Sequence, residues 1–521
     1  MSKISVSELC LYFVCWISAN FYSLYKLYEA QTDVLSNNTI TETKPGWRFV
    51  ERPVDISDVE WNTWKFHMGG SWFYLTLQFI ISETIRTVQP SMLPHWYLTS
   101  SLLYNFVKMD IKQYLFLFVS PVVYSIVTFS GGKRLSLWIT SVLVLLIYNS
   151  LKYTAYVWSL FEHDNLVDEE IYLVLFTSGW IQLRCTSFCL DYVEKKEKLS
   201  AVSEKCIEHQ ESVSESLLKM LTYVFYLPML HSGPLLDYNE FEKSFTRRNT
   251  SLTSRINRFT IDIMLYLIYT FLLEWSLHYI HFLAMQENIE LLRKLPPIAL
   301  SGGGLWMGLE FHVKYVIIYG VASAFTALDN IETPPNPRCI ARIHVYSQMW
   351  RYFDVGLYRF LIKFIYLPCL TELSKYGARI SKTIQKLLAS LATFLFIFLW
   401  HGTTWAIFIW MTLNYFGITV ESYAKEVAKS DGYNKFKKTI LKTAGMETRF
   451  TALLCTPLLC LSAMSSFYLF AGYNVGNLFF ECFRPHLTWN SLYIMTALYS
   501  CCHVSMALQN VPSRTAVKTF N

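Results

Sequence analysis

Charge is what this sequence has least of. Only 16% of its 521 residues are Asp, Glu, Lys or Arg, against about a quarter in an ordinary soluble domain. That shortage excludes a well-solvated globule, and the 53% apolar share needs lipid to cover it. Dense Lys/Arg blocks are missing as well, and a formal net charge of +6 leaves no phosphate-backbone footprint, which argues against nucleic acid as a partner. The 12 cysteines lack framework spacing. Cys10, Cys15, Cys185, Cys189, Cys455, Cys501 and Cys502 lie within or beside apolar runs, which favours buried or palmitoylated thiols over disulfides. No internal repeat is evident, so a transporter built from repeated halves loses its usual signature. The first apolar run, 6–25, has no small-residue cleavage site and reads as an uncleaved anchor, and Ser2 excludes N-myristoylation.

What is present is aromatic and apolar. The 37 Phe, 34 Tyr and 16 Trp suit two interfacial belts at the headgroup level. Candidate membrane segments fall at 6–25, 71–90, 93–109, 113–130, 134–160, 170–192, 215–235, 258–285, 297–328, 343–370, 388–421, 451–472 and 487–509. Several are short or carry charge, so the expectation is an all-α, polytopic transmembrane helical protein with about ten spans plus re-entrant segments. No polar stretch is long enough for a separate soluble domain, and 1–521 reads as a single membrane-embedded domain. The sequon Asn37-Asn38-Thr39 is usable only if its loop faces the lumen.

Two stretches are basic. Lys375, Arg379, Lys382 and Lys386 precede the apolar region 388–421, and Lys425, Lys429, Lys435, Lys437, Lys438 and Lys442 follow it. The positive-inside rule puts both in the cytosol. One arrangement that satisfies it is a hairpin bending at His401-Gly402-Thr403-Thr404, and the alternative is one long tilted span that obeys the rule weakly.

Ionisable groups in apolar segments are costly, so each is a functional hypothesis by default. Apart from His401, no side chain that charges near neutral pH stands between Lys386 and Glu421. A neutral imidazole accepts a proton near neutral pH and so suits general-base chemistry, while a histidine satisfied by a carbonyl or facing a water-filled vestibule accounts for the same pattern. The second feature is the segment Pro334-Pro335-Asn336-Pro337-Arg338-Cys339, followed downstream by Asp354 among aromatics, with Arg351 and Arg359 close in sequence. Catalysis, a buried salt bridge and a helix cap are all open to Asp354.

Four blocks carry a resemblance: MWRYFDVGLYRFLIKFIYLP (349–368), LWHG (399–402), LNYFGITVE (413–421) and, upstream, FYLPMLHSGPLLDYNEF (225–241). Together they resemble the membrane-bound O-acyltransferases, and within them the hedgehog acyltransferase branch. The resemblance implies a multi-pass enzyme of the endoplasmic reticulum, or of the Golgi membrane. Such an enzyme moves palmitoyl from palmitoyl-CoA to the N-terminal cysteine amine of a Hedgehog protein. His401 then matches the family histidine, Asp354 its acidic partner, and Trp350 an aromatic bordering the acyl-CoA pocket. Cys339 stands where a haem-ligating cysteine is described, a role open to a thiolate. Inactive relatives replace the histidine, and this chain keeps it. Broken helices at Gly302, Gly303, Gly304 and at His401 are expected to wall a passage between a cytosolic donor and a lumenal acceptor. Two other readings are a small-solute or ion transporter, and an inactive lipid- or haem-binding regulator.

Overall fold

The structure, a computed structural model, describes residues 4–509 apart from 37–40, 154–158, 160–167, 203–211, 247–249, 378–379 and 484–487. The sequon Asn37-Asn38-Thr39 and Arg379 lie outside the described residues. Nearly everything described is helix, because a backbone in lipid must satisfy its own hydrogen bonds. Helix α1 is Val6–Ser36, followed by a small antiparallel hairpin of β1 (Thr43–Pro45) and β2 (Pro53–Asp55). Next come α2 (Val59–Val88), α3 (Leu93–Lys108), α4 (Ile111–Phe116), α5 (Val119–Phe129), α6 (Arg134–Tyr153) and α7 (Asp168–Val202). Shorter elements follow: α8 (Val213–Val224) and α9 (Tyr238–Thr246), then the long α10 (Leu252–Leu277), then α11 (Phe282–Gln286) and α12 (Ile289–Arg293). The chain continues through α13 (Pro297–Leu328), α14 (Tyr346–Tyr352), α15 (Val355–Leu361) and α16 (Leu367–Ser374). It ends with α17 (Lys382–His401), α18 (Trp405–Val427), α19 (Asp431–Phe436), α20 (Ala444–Cys482) and α21 (Trp489–Leu508).

The helix starts are written in the sequence. Asp58, Ser251, Ser381, Thr404, Thr443 and Thr488 each accept a backbone N–H three residues on, at the N-termini of α2, α10, α17, α18, α20 and α21. Such caps satisfy donors that have no partner inside the helix. Among the described residues, seven stretches are long and apolar enough to cross a membrane: Ile111–Phe129, Glu169–Leu199, Leu252–Leu277, Pro297–Leu328, Lys382–His401, Ala444–Cys482 and Trp489–Leu508. At 31 and 30 residues, α1 and α2 reach the length, but their polar content keeps them off that count. Helix α13 is the axis of the fold. It packs against α1 and α10 and is buried on all sides, as an all-round apolar helix must be, whereas α10 turns most of its surface outward.

Three expected segments are not single spans. The run 215–235 ends its helix at Val224 and continues as buried irregular chain. That chain is tolerated because Arg184 of α7 donates to the carbonyls of Val224, Met229 and Ser232. The run 343–370 breaks into α14, α15 and a π-helical stretch, Ile362–Tyr366, leading into α16. The run 388–421 is a hairpin: Phe398 meets Phe408, Phe394 meets Tyr415, and the Tyr415 hydroxyl donates to the Leu387 carbonyl. The expected break at Gly302, Gly303 and Gly304 is absent, since all three sit inside the continuous α13. Their missing side chains instead let the Ser23 backbone, Phe282 and Phe467 approach that helix.

Candidate active site

The hairpin apex explains why the chain stops being helical at His401. Gly402 takes φ 129° and ψ 148°, a conformation essentially reserved for glycine. Its N–H returns to the Phe398 carbonyl, Asn149 of α6 donates to the Leu399 carbonyl at 2.7 Å, and Thr404 caps the next helix. His401 is thus the last residue of α17, with its ring edge-on to Trp410 at 5.0 Å between centroids. Trp410 also packs on Trp350, 5.6 Å away.

Trp350 lies on α14 and donates from Nε1 to Asn414 Oδ1 at 3.3 Å. Asn414 in turn donates to the Trp410 carbonyl and to Ser465 Oγ. One hydrogen-bonded and aromatic array therefore ties the Trp350 indole to α18 and packs against the His401 ring. On the other side of the hairpin, Trp400 meets Trp180 at 6.0 Å.

Asp354 caps α15. Its Oδ1 accepts from the Leu357 N–H at 2.9 Å, and its Oδ2 accepts from the Tyr319 hydroxyl of α13 at 2.8 Å. The helix-cap reading is therefore realised. Among the described residues Asp354 makes no ion pair with Arg351 or Arg359; the guanidinium of Arg351 lies over the Tyr358 ring instead.

His401, Asp354, Trp350 and Cys339, the four residues singled out from the sequence, all border one cavity of about 1430 Å³. Its walls also include Tyr319, Trp410 and Asn414. Cys339 begins the turn Ile340–Arg342, and its thiol is exposed and unpaired, as every described cysteine is unpaired. A cavity of this size is at or above the upper end for small-molecule sites, and its mix of apolar wall, tryptophans and few polar groups fits a long-chain acyl thioester.

The membrane-bound O-acyltransferase family model matches residues 124–465, a range that contains His401, Asp354, Trp350 and Cys339. The chain belongs to that family. It is an acyltransferase embedded in the membrane. Protein-cysteine N-palmitoyltransferase Rasp of Drosophila melanogaster is 26% identical over 100% of this chain and 99% of its own length. Protein-cysteine N-palmitoyltransferase HHAT of Mus musculus is 29% identical over 65% of this chain and 66% of its own. An HHAT-like protein of Mus musculus is 25% identical over 82% and 80%.

Sequence reasoning misses two groups of cavity residues. Trp410, Asn414 and Asn149 carry no signal in an apolar run, because their value lies in whom they touch. Glu310 and Lys314 do carry one: two charges four apart inside the apolar run 297–328 belong among the costly intramembrane groups. In the structure Lys314 meets Asp58 at 2.5 Å and Glu60 at 3.1 Å, so α2 supplies the compensation.

Proposed function

We propose that the protein transfers palmitoyl from palmitoyl-CoA to the N-terminal cysteine amine of a secreted protein of the Hedgehog type, at the membrane of the endoplasmic reticulum. Support comes from two directions. Rasp and HHAT, similar over most or all of the chain, carry the protein-cysteine N-palmitoyltransferase name. The observation that carries the reading is that His401, Asp354 and Trp350 border a single cavity large enough for an acyl chain and an acceptor terminus.

The chemistry follows from those side chains. Amide formation needs a neutral amine at the thioester carbonyl and somewhere for its proton to go. In this reading neutral His401 takes that proton as the C–N bond forms, the tetrahedral centre collapses, the C–S bond breaks, and CoA leaves as a thiolate. Trp410 packs edge-on against the imidazole and limits how it can turn. Asp354, held by the Leu357 N–H and Tyr319, supplies a fixed negative charge that positions the approaching amine. Attack by the cysteine thiol followed by S-to-N migration gives the same amide. Trp350, tied to Asn414, walls the acyl chain.

Cys339 would hold a haem through its thiolate, because its thiol is free, exposed and at the cavity border. Bound there, a haem would brace the Pro-rich segment; amide formation itself moves no electrons between substrates. Loss of the haem absorption band in Cys339→Ala tests this placement.

The decisive experiment incubates purified protein with palmitoyl-CoA and a peptide beginning with cysteine, followed by mass measurement. One palmitoyl group in amide linkage is the expected product. A transporter gives no covalent product, and an inactive regulator binds acyl-CoA without turnover; either outcome overturns the reading.

A further inference from the structure

Asn414, Gly417 and Glu421 of the block LNYFGITVE fall three and four positions apart, so they share one face of α18 with Trp410, one turn earlier. All four are buried, and the face they make receives α14. Asn414 Oδ1 accepts from Trp350 Nε1 at 3.3 Å, Trp410 packs on the same indole, and a Cβ at Gly417 would overlap the Tyr346 ring. At the far end of the face, Glu421 Oε2 accepts the Ser347 N–H at 2.9 Å, while its Oε1 takes the Ser347 hydroxyl and the Lys425 ammonium.

That face matters because α14 cannot hold its own position. It is seven residues long, and helices shorter than about 12 residues are marginal without packing. Its N-cap is Val345, which has no side-chain oxygen and makes no cap bond, so the Ser347 N–H has no partner within its own helix. Glu421 supplies the missing cap from another helix, as a carboxylate at the positive end of the peptide dipoles. Tyr346, Met349 and Trp350 of α14 border the cavity, so the cap sets where that wall stands. Asp354, which follows α14, has anchors of its own in the Leu357 N–H and in Tyr319 of α13. Loosening α14 at Ser347 therefore moves the Trp350 wall more than it moves Asp354.

We propose that Glu421 is a positioning residue for the acyl donor: it caps α14 from α18 and so seats Trp350 against the acyl chain. The proposal rests on the palmitoyl-transfer reading for the identity of that donor. Glu421 is not among the described residues that border the cavity, so it acts through Ser347 and α14. Its effect falls on donor affinity, because the approach of the amine to Asp354 and His401 is set by other contacts.

The test measures binding of radiolabelled palmitoyl-CoA to the purified full-length protein in detergent, alongside steady-state transfer to a peptide beginning with cysteine. Glu421→Ala should weaken palmitoyl-CoA binding and raise its Michaelis constant about five-fold, with the acceptor's Michaelis constant and the maximal rate held within about two-fold. Glu421→Gln keeps an oxygen for the Ser347 N–H and should hold donor affinity within about two-fold of the native value. If the alanine variant fails to fold, Ser347→Ala deletes the hydroxyl bond to Glu421 while keeping the N–H bond, and should still raise the donor constant about two-fold. A purely structural role would lower the amount of active enzyme and leave both Michaelis constants where they are. That result overturns the proposal, and so do donor and acceptor constants that rise together. Weakened donor binding in Glu421→Ala with no transfer by the native protein sinks the transfer reading alone. Transfer with donor affinity unchanged in the variants sinks the role of Glu421 alone.

Discussion

The two polar stations of the cavity are built on opposite plans. Around His401 the wall is aromatic, with Trp410, Trp350 and Trp400, and its polar groups are neutral amides such as Asn414 and Asn149. Around Lys314 the wall is ionic, with Asp58 and Glu60 paired to one ammonium and Glu310 beside them. Aromatic rings and neutral amides leave an imidazole largely uncharged, whereas charges buried in an apolar wall persist only when they are paired with one another. In the proposed mechanism the difference is a division of labour: one station would move a proton, while the other holds paired charges in place.

Removing the base breaks the comparison most sharply. His401→Ala should lower the rate of palmitoyl transfer by about 10²–10⁴-fold, the range for one general base, with the folded fraction on gel filtration unchanged. Full activity would leave His401 as one more ring in the aromatic wall. Asp354→Asn keeps an oxygen for the Leu357 cap but replaces the acceptor of the Tyr319 hydroxyl with an amide donor, so it removes the charge and reverses that one contact. A smaller loss than for His401, read as the rate at saturating acceptor, is expected.

At the ionic station the largest effect should be on stability. Lys314 is 5% exposed and is the counter-charge for Asp58 and Glu60. Lys314→Met strands buried carboxylates, and breaking a buried pair by deleting one partner costs about 3–5 kcal/mol. Thermal unfolding in detergent should show it, and adding Glu310→Gln should recover part of the loss by removing one carboxylate. No recovery would mean that Glu310 is electrically remote from the pair.

How much of this was legible in the sequence differs between the stations for a physical reason. His401 stands out because no Asp, Glu, Lys or Arg lies between Lys386 and Glu421, and the basic stretches on both sides are compatible with a hairpin. Asp354 and Trp350 come from the motif around them. Glu310 and Lys314 are just as visible as charges in an apolar run, but their partners lie on α2, with 256 positions between Asp58 and Lys314, and pairing over that distance leaves no local pattern. Gly302, Gly303 and Gly304 mislead in the other direction. Glycine permits a break or a close approach, and here Ser23, Phe282 and Phe467 take up the space while the helix runs on.

The apex itself offers a test of intermediate size. Gly402→Ala places a Cβ at φ 129°, a backbone region that costs about 1–3 kcal/mol for other residues. The variant should unfold at lower temperature and lose activity in proportion as the His401 ring tilts from Trp410. The glycine of the same kind in α20, Gly472 at φ 77°, serves as a comparison, because it lies outside the hairpin while bordering the same cavity. Alanine there should cost comparable stability with a smaller effect on turnover.

The smallest expected effect sharpens the comparison where the two plans meet least. Trp350→Phe keeps an aromatic face toward Trp410 and Phe394 but deletes the Nε1 donor to Asn414. That bond is long, at 3.3 Å, and a neutral hydrogen bond contributes about 0.5–1.5 kcal/mol net, so the lower end applies. Asn414 stays in place through the bonds its Nδ2 donates to the Trp410 carbonyl and Ser465, so the cost is confined to its Oδ1. The Michaelis constant for palmitoyl-CoA should therefore rise by about two- to three-fold, more than the maximal rate falls, because the wall of the acyl site loosens while His401 and Trp410 stay in register. A larger fall in rate than in apparent affinity would place the indole N–H at the reacting centre, and the aromatic station would then contribute a polar group of its own to the chemistry.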